Sequence, residues 1–200
     1  MHCSVRALSI LAVASAFFAI PIIGQQGTIY TATVIPTIGQ SGGSANIRIQ
    51  VISYTTDVER GQLKEAFSKE GSDNGLVLLR TMSKGYINVI GQSGRKIMAA
   101  FSLDNPNGKR LILITEHVLS EYEKTQNIRA EDYPLTILRI QFDPLGKAKG
   151  GEVYPAVKLS FTTDGFLDAA TQSANIATMI DIVRTNGVFS LLHSSIPVRL

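Results

Sequence analysis

Short β-rich runs separated by turn signals recur along this 200-residue chain, and they constrain its fold more than any other feature. In residues 46–51, NIRIQV, the apolar Ile47, Ile49 and Val51 alternate with polar residues, which is typical of a strand with one solvent-exposed face. The same criteria predict further strands at residues 28–35, 86–90, 96–103, 110–115, 135–142, 152–161, 166–172 and 176–183. Repeated hairpin spacing favours an antiparallel sheet over a doubly wound parallel one.

One helical region interrupts the strands. In residues 53–71, SYTTDVERGQLKEAFSKEG, Thr56 and Glu59 have the spacing of a capping box, and Gly71 is suited to end the helix. A second, shorter helix is predicted from residue 72 or 73 to near Gly85, although its apolar run 76–79 is also compatible with a buried strand. The sequence therefore predicts an α+β fold: a mostly antiparallel β-sheet, as a sandwich or an open barrel, with a helix pair inserted after the second strand.

The segment DPLGKAKGGEVYP, residues 143–155, is the most motif-like part of the chain. Its glycines and lysines resemble a phosphate-binding loop, but such a loop needs a Ser or Thr after its lysine, and Glu152 would repel a phosphate. Downstream, alternation predicts that one face of a strand carries Val153, Pro155, Val157, Leu159 and Phe161. The segment is therefore interpreted as a hairpin connection.

The N-terminus has the pattern of an export signal. A short start containing Arg6 leads into the apolar run 7–23, and Pro21 precedes a polar GQQG stretch. This predicts a signal peptide over residues 1–25 and a single α+β domain over 26–200, with a flexible strand and loop at 27–45 and a tail at 187–200. The protein is then periplasmic or extracellular. An uncleaved membrane anchor is the alternative, and it would be the chain's only membrane contact.

Composition excludes several function classes for the exported domain. The only cysteine, Cys3, lies in the predicted signal peptide, so the domain has no disulfide and no thiolate metal site. Without Arg6 the chain carries 18 basic and 16 acidic residues with the signs interspersed, which does not favour nucleic-acid binding. Two histidines remain and neither lies in a known catalytic or zinc motif. No metal or other cofactor is predicted.

A polar segment between the strands at 110–115 and 135–142 holds the candidate site. Its acidic residues cluster beside an aromatic side chain, and long loops of this kind are where binding residues tend to lie. The ligand-contact residues predicted here are Glu116, His117, Asp132 and Tyr133, with no catalytic residue assigned.

Four stretches, VISYTTDVERGQLKEAF, LLRTMSKGYI, GKRLILITEH and EDYPLTILRIQFDPLGKAKGGEVYPAVKL, together resemble, in that order, a group of exported bacterial proteins of unknown function. The resemblance runs from about residue 47 to residue 184. It departs from the group's pattern at Glu116-His117, where relatives tend to carry Asp-Arg. The resemblance implies export and one compact domain, and it implies no activity.

These observations favour a non-enzymatic module of the bacterial envelope that binds a small molecule or another envelope protein. Two alternatives stay open. One is a hydrolase that uses carboxylates of the segment 116–133, which requires two carboxyl groups facing one cleft. The other is a structural or scaffolding module, which predicts an exposed apolar patch or a free sheet edge.

Overall fold

The computed structural model describes residues 27–35, 43–69, 72–90, 94–116, 134–161, 167–171 and 177–186. Within these ranges the chain forms nine strands and two helices, in the order β1 (Thr28–Ile35), β2 (Ala45–Val51), α1 (Asp57–Lys69), α2 (Ser72–Thr81), β3 (Gly85–Val89), β4 (Arg95–Asn105), β5 (Gly108–Glu116), β6 (Leu135–Phe142), β7 (Ala148–Phe161), β8 (Leu167–Thr171) and β9 (Ala177–Asn186). The predicted signal peptide and the predicted tail lie outside the described residues.

The strands form one antiparallel sheet that closes on itself. Its order is β6-β5-β4-β3-β2-β1-β9-β7-β8, and β6 also pairs with β7, so eight strands form a closed barrel and β8 lies outside the ring. The predicted antiparallel sheet and the helix pair after the second strand are confirmed. The sandwich or open barrel is corrected to a closed barrel, because β9 pairs with both β1 and β7 and leaves no gap in the ring.

The glycine- and lysine-rich segment forms the turn between β6 and β7. The backbone N–H of Asp143 donates to the carbonyl of Lys147 at 2.9 Å, and the N–H of Lys147 donates to Asp143 Oδ1 at 2.8 Å. Gly146 has φ of +81°, a conformation that glycine adopts without steric cost. The predicted hairpin connection is confirmed.

The face assignment along β7 is wrong in part. Val153 lies inside the barrel, whereas Val157 lies outside it in an apolar layer with Leu135. The pairing with β6 shifts register between Leu135 and Ile137, which turns the second half of β7 over. Pro155, which has no N–H, lies between the part of β7 that pairs with β9 and the part that pairs with β8.

Two apolar clusters therefore lie on opposite sides of the barrel wall, one inside the barrel and one outside it. One fills the interior, where the fully buried side chains include Ile49, Ile97, Leu113, Ile140 and Met179. The other lies between the outer surface of β4 to β7 and the two helices, and its members include Leu63, Leu79, Met98, Ile114, Leu135 and Val157. The helices thus cover only one side of the barrel and leave the outer surface of β1, β2 and β9 to solvent.

Polar contacts attach the helix pair to the barrel. Glu59 closes the predicted capping box, because its carboxylate accepts from the Thr56 N–H at 2.8 Å while Thr56 Oγ1 accepts from the Glu59 N–H at 3.2 Å. The same carboxylate binds the ammonium of the buried Lys84 at 2.6 and 2.8 Å. Hydrogen bonding from Lys84 is the main reason that the pKa of Glu59 lies below its usual value.

Thr55 forms backbone hydrogen bonds with the edge of β4 where β3 no longer pairs with it. The strand β3 is short, and its pairing with β4 reaches only from Arg95 to Ile97. Beyond that point, the Thr55 N–H donates to the carbonyl of Ala100 at 2.8 Å, and the Ala100 N–H donates to Thr55 Oγ1 at 3.0 Å. One buried threonine thus satisfies both backbone groups of Ala100.

Replacing Thr55 by valine should destabilise the protein. Thr55→Val keeps the shape of the side chain but leaves the buried Ala100 N–H without its acceptor, so we expect a loss of about 1–3 kcal/mol in the free energy of unfolding. Urea unfolding measures this loss. The control is Thr31→Val at an exposed position of β1, which should change stability by less than about 0.5 kcal/mol. Equal effects of the two substitutions would contradict the role given to Thr55.

Glycine is required in β7 where the barrel closes. A Cβ atom on Gly151 would lie 2.5 Å from Met179 Cε and 2.8 Å from the carbonyl oxygen of Arg139. We expect Gly151→Ala to cost about 1–3 kcal/mol through overpacking. Gly61→Ala is the matched control, because a Cβ there meets nothing within 4 Å and alanine favours helix α1 by about 0.5–1 kcal/mol. Chemical unfolding of both variants should therefore show shifts of opposite sign.

Candidate functional site

One end of the barrel carries Glu116, a residue of the predicted site, and a small cavity. At this end β1, β3 and β5 finish and β2, β4, β6 and β9 begin. A cavity of about 30 Å³ opens there, lined by Val34, Ala45, Ile47, Ile87, Val89, Thr136, Leu138 and Val153. We call this the Glu116 end, because Glu116 is the last residue of β5.

The cavity is small and chemically inert. Among the described lining residues, Thr136 carries the only polar side chain, and its hydroxyl already donates to the carbonyl of Pro155 at 3.0 Å. A volume of this size holds about one water molecule, whereas sites for small organic ligands usually enclose about 300–1,000 Å³. None of the described lining residues is titratable, so the cavity walls offer neither an acid nor a base.

Glu116 lies on the outer side of this rim rather than in the cavity. It pairs in register with Leu135, which belongs to the apolar layer under the helices. Its Oε1 lies 3.2 Å from Nε of Arg80, near the end of α2. Both side chains are about half exposed, so this ion pair contributes little to stability, about 0–1 kcal/mol. In this contact the carboxylate lies beside the helix pair.

The other predicted site residues, His117, Asp132 and Tyr133, lie outside the described residues. The structure therefore places one member of the predicted set and leaves the grouping of all four as a prediction. No cluster of three or more His, Cys, Asp or Glu side chains suited to a metal ion occurs in the part of the chain that the structure describes.

A tyrosine that the sequence reasoning passed over lies inside the opposite end of the barrel. Tyr30 is buried, its ring lies 5.7 Å from that of Phe142, and its hydroxyl shares a hydrogen bond with Tyr54. Burial, with a smaller contribution from Tyr54, raises the pKa of Tyr30 to about 12 against the opposing effect of Arg184. The alternation of TIYTATVI, which puts Tyr30 on one face with Ala32 and Val34, was the available signal.

A second polar cluster lies on the outer surface of β6 and β7. Arg139 Nε donates to Glu152 Oε2 at 2.6 Å, and the hydroxyl of Tyr154 donates to the same oxygen at 3.0 Å. The Arg139 guanidinium also lies 5.3 Å from the centre of the Tyr154 ring. Burial is the main reason that the pKa of Tyr154 is raised. These groups satisfy one another across the strand pair, so the cluster stabilises the β6–β7 pairing.

No protein-family model, no curated protein and no solved structure matches this chain. The resemblance to exported bacterial proteins therefore stays a prediction. In the described ranges, no helix combines the length and the apolar character that crossing a membrane would require.

The raised pKa of Tyr30 predicts a specific loss of stability at high pH. An unfolded tyrosine ionises near pH 10 and Tyr30 in the folded barrel only near 12, so the unfolded chain releases this proton first. The stabilising contribution is complete below pH 10, and it is lost as the pH rises from 10 to 12. Urea unfolding at pH 8, 10 and 11 should show a steeper decline for the wild type than for Tyr30→Phe.

Tyr86 provides the control for this measurement, because it is exposed on β3. The Tyr86→Phe variant should follow the wild-type decline. If the stability of Tyr30→Phe falls with pH as steeply as that of Tyr86→Phe, Tyr30 does not carry the alkaline transition.

Proposed function

We propose that this protein is an exported, non-enzymatic binding module of the bacterial envelope, and that it binds another envelope protein rather than a small molecule enclosed in its barrel. The observation that carries the choice of ligand is the filled interior. Apolar side chains from every strand of the ring pack there, and the cavity at the Glu116 end has only about 30 Å³.

The binding surface in this proposal is the rim of the Glu116 end. The proposed contact residues are those that the sequence predicted, namely Glu116, His117, Asp132 and Tyr133, of which Glu116 lies on the rim. Residues 117–134 join β5 to β6 at this end, and long connections displayed on a rigid barrel commonly carry binding residues. The Glu116 carboxylate lies beside Arg80 of α2 and is about half exposed, so it can accept hydrogen bonds from a partner.

Catalysis is the weaker proposal for the same rim. A carboxylate pair needs two groups that face one cleft, and Glu116 points outward beside Arg80, away from the cavity. The described residues therefore favour contact with a partner over hydrolysis.

Scaffolding is a second candidate function, favoured by an exposed apolar patch on the other side of the barrel. Ile35 of β1 and Ile180 and Val183 of β9 are partly exposed on adjacent strands. In the β1–β9 register each of them lies opposite a threonine, and neither helix covers this surface. A structural role would use this patch instead of the rim.

Site-specific photocrosslinking tests which surface is used. A photoreactive phenylalanine derivative placed at residue 116 should give a discrete protein adduct in cells of the native bacterium. The same substitution at the exposed Asp104, at the opposite end of the barrel, should give none. Placement at Ile180 distinguishes the scaffolding function, which predicts the adduct there.

Mass spectrometry of solvent extracts from the purified protein completes the test. We expect no small molecule at one equivalent per chain. A stoichiometric small molecule in the extract, or the lack of an adduct at residue 116, would overturn the proposal.

A further inference from the structure

The end of the barrel opposite the Glu116 end presents an exposed apolar residue among lysines. At the tip of the β6–β7 turn, the side chain of Leu145 is 94% exposed, the highest value among the large apolar side chains in the described ranges. Lys147 and Lys149 follow it on the same hairpin, and both are exposed. We call Leu145, Lys147 and Lys149 the Leu145 turn.

We propose that the Leu145 turn docks on an anionic lipid surface, with Leu145 inserted among the headgroups and the lysines contacting lipid phosphates. Short apolar groups flanked by basic residues bind at membrane interfaces in this way, since burial of the apolar group and attraction to anionic lipid add. The proposal concerns a different end of the barrel from the proposed partner site and does not depend on it.

The turn is rigid enough to present Leu145. Hydrogen bonds between Asp143 and Lys147 close its base, and the Gly146 N–H donates to the carbonyl of Asp143 at 3.0 Å. The neighbouring β4–β5 turn packs directly against it, because a Cβ on Gly108 would lie only 2.2 Å from the carbonyl oxygen of Phe142. The hydrogen bonds at the base of the turn and its contact with the β4–β5 turn therefore fix the hairpin that carries the exposed Leu145.

The charges around the turn favour an anionic surface. The described residues show no ion pair for Lys147 or Lys149, while Lys109 on the neighbouring turn lies 3.6 Å from Asp104. Asp143 is the acidic residue of the turn itself, and its carboxylate accepts the Lys147 N–H. Arg184, near the end of β9, adds a further exposed positive charge at this end of the barrel.

The end of the barrel at which β1 begins favours a lipid surface over a second protein. The strand β1 begins at Thr28, and an antiparallel ring puts the start of β1 at the same end as the β6–β7 turn. Only residues 24–27 separate the apolar run 7–23 from β1, a span of about 17 Å at most when fully extended. In the uncleaved alternative, this short connection keeps the start of β1, and with it this end of the barrel, close to the bilayer.

The chain contains no tryptophan, so Leu145→Trp introduces a unique fluorescent probe. The full chain, in whichever processed form cells export, is mixed with vesicles of phosphatidylcholine alone or with about 30% phosphatidylglycerol. We expect the emission of Leu145→Trp to shift to the blue and to become protected from acrylamide with the anionic vesicles only, and less so at high salt. Val77→Trp, exposed on α2, is the control and should not shift.

Charge variants test the lysines separately. Lys147→Gln combined with Lys149→Gln in the Leu145→Trp background should weaken binding to the anionic vesicles by about 25-fold, since each lysine near such a surface contributes about fivefold. An unshifted Leu145→Trp, equal shifts with both vesicle types, or equal shifts of Leu145→Trp and Val77→Trp would each overturn the proposal.

Discussion

Closure of the barrel through β7 is the constraint on which the rest of the structure depends. This strand pairs with β6 along one edge and with β9 and β8 in turn along the other. Gly151 allows the side chain of Met179 to pack against the β7 backbone, and Pro155 marks the point where the second edge changes partner. Because the register shifts there, the first half of β7 contributes to the interior and the second half to the layer beneath the helices.

The two-sided use of β7 explains why the helix pair is needed. Once Val157 and Leu159 turn outward with Leu135, the barrel has an apolar outer surface that must be covered. The helices cover it, and the ion pair between buried Lys84 and partly exposed Glu59, together with Thr55, anchors their entry to β3 and β4. Removal of Glu59 would leave the buried Lys84 ammonium uncompensated, whereas Glu59 is partly exposed and would stay solvated without Lys84.

Short sequence patterns predicted the helix start and the turn correctly, but they could not predict which distant strands pair with each other. The start of α1 follows from Thr56 and Glu59, and the β6–β7 turn from its glycines, because each depends on residues three to five apart. The pairing of β1 with β9 joins residues more than 140 positions apart and leaves no periodic signal. The face change at Pro155 was missed for the same reason, since alternation alone assumes an unbroken ladder. Glu116 was predicted in the polar segment after the strand and is instead the last residue of β5, and its contact with Arg80 depends on how α2 packs.

Because neighbouring strands of the ring are antiparallel, the connections between them lie at one or the other of its two ends. The tight turns at Asn105–Gly108 and Asp143–Lys147 lie with the start of β1 at one end, and the longer connections, residues 36–44 and 117–134, join strands at the other. Among the described residues, apolar side chains from every strand of the ring pack in the space between the two ends. A molecule built this way can still present two unlike surfaces in a fixed mutual orientation. That geometry suits a module that meets a membrane at one end and a protein at the other.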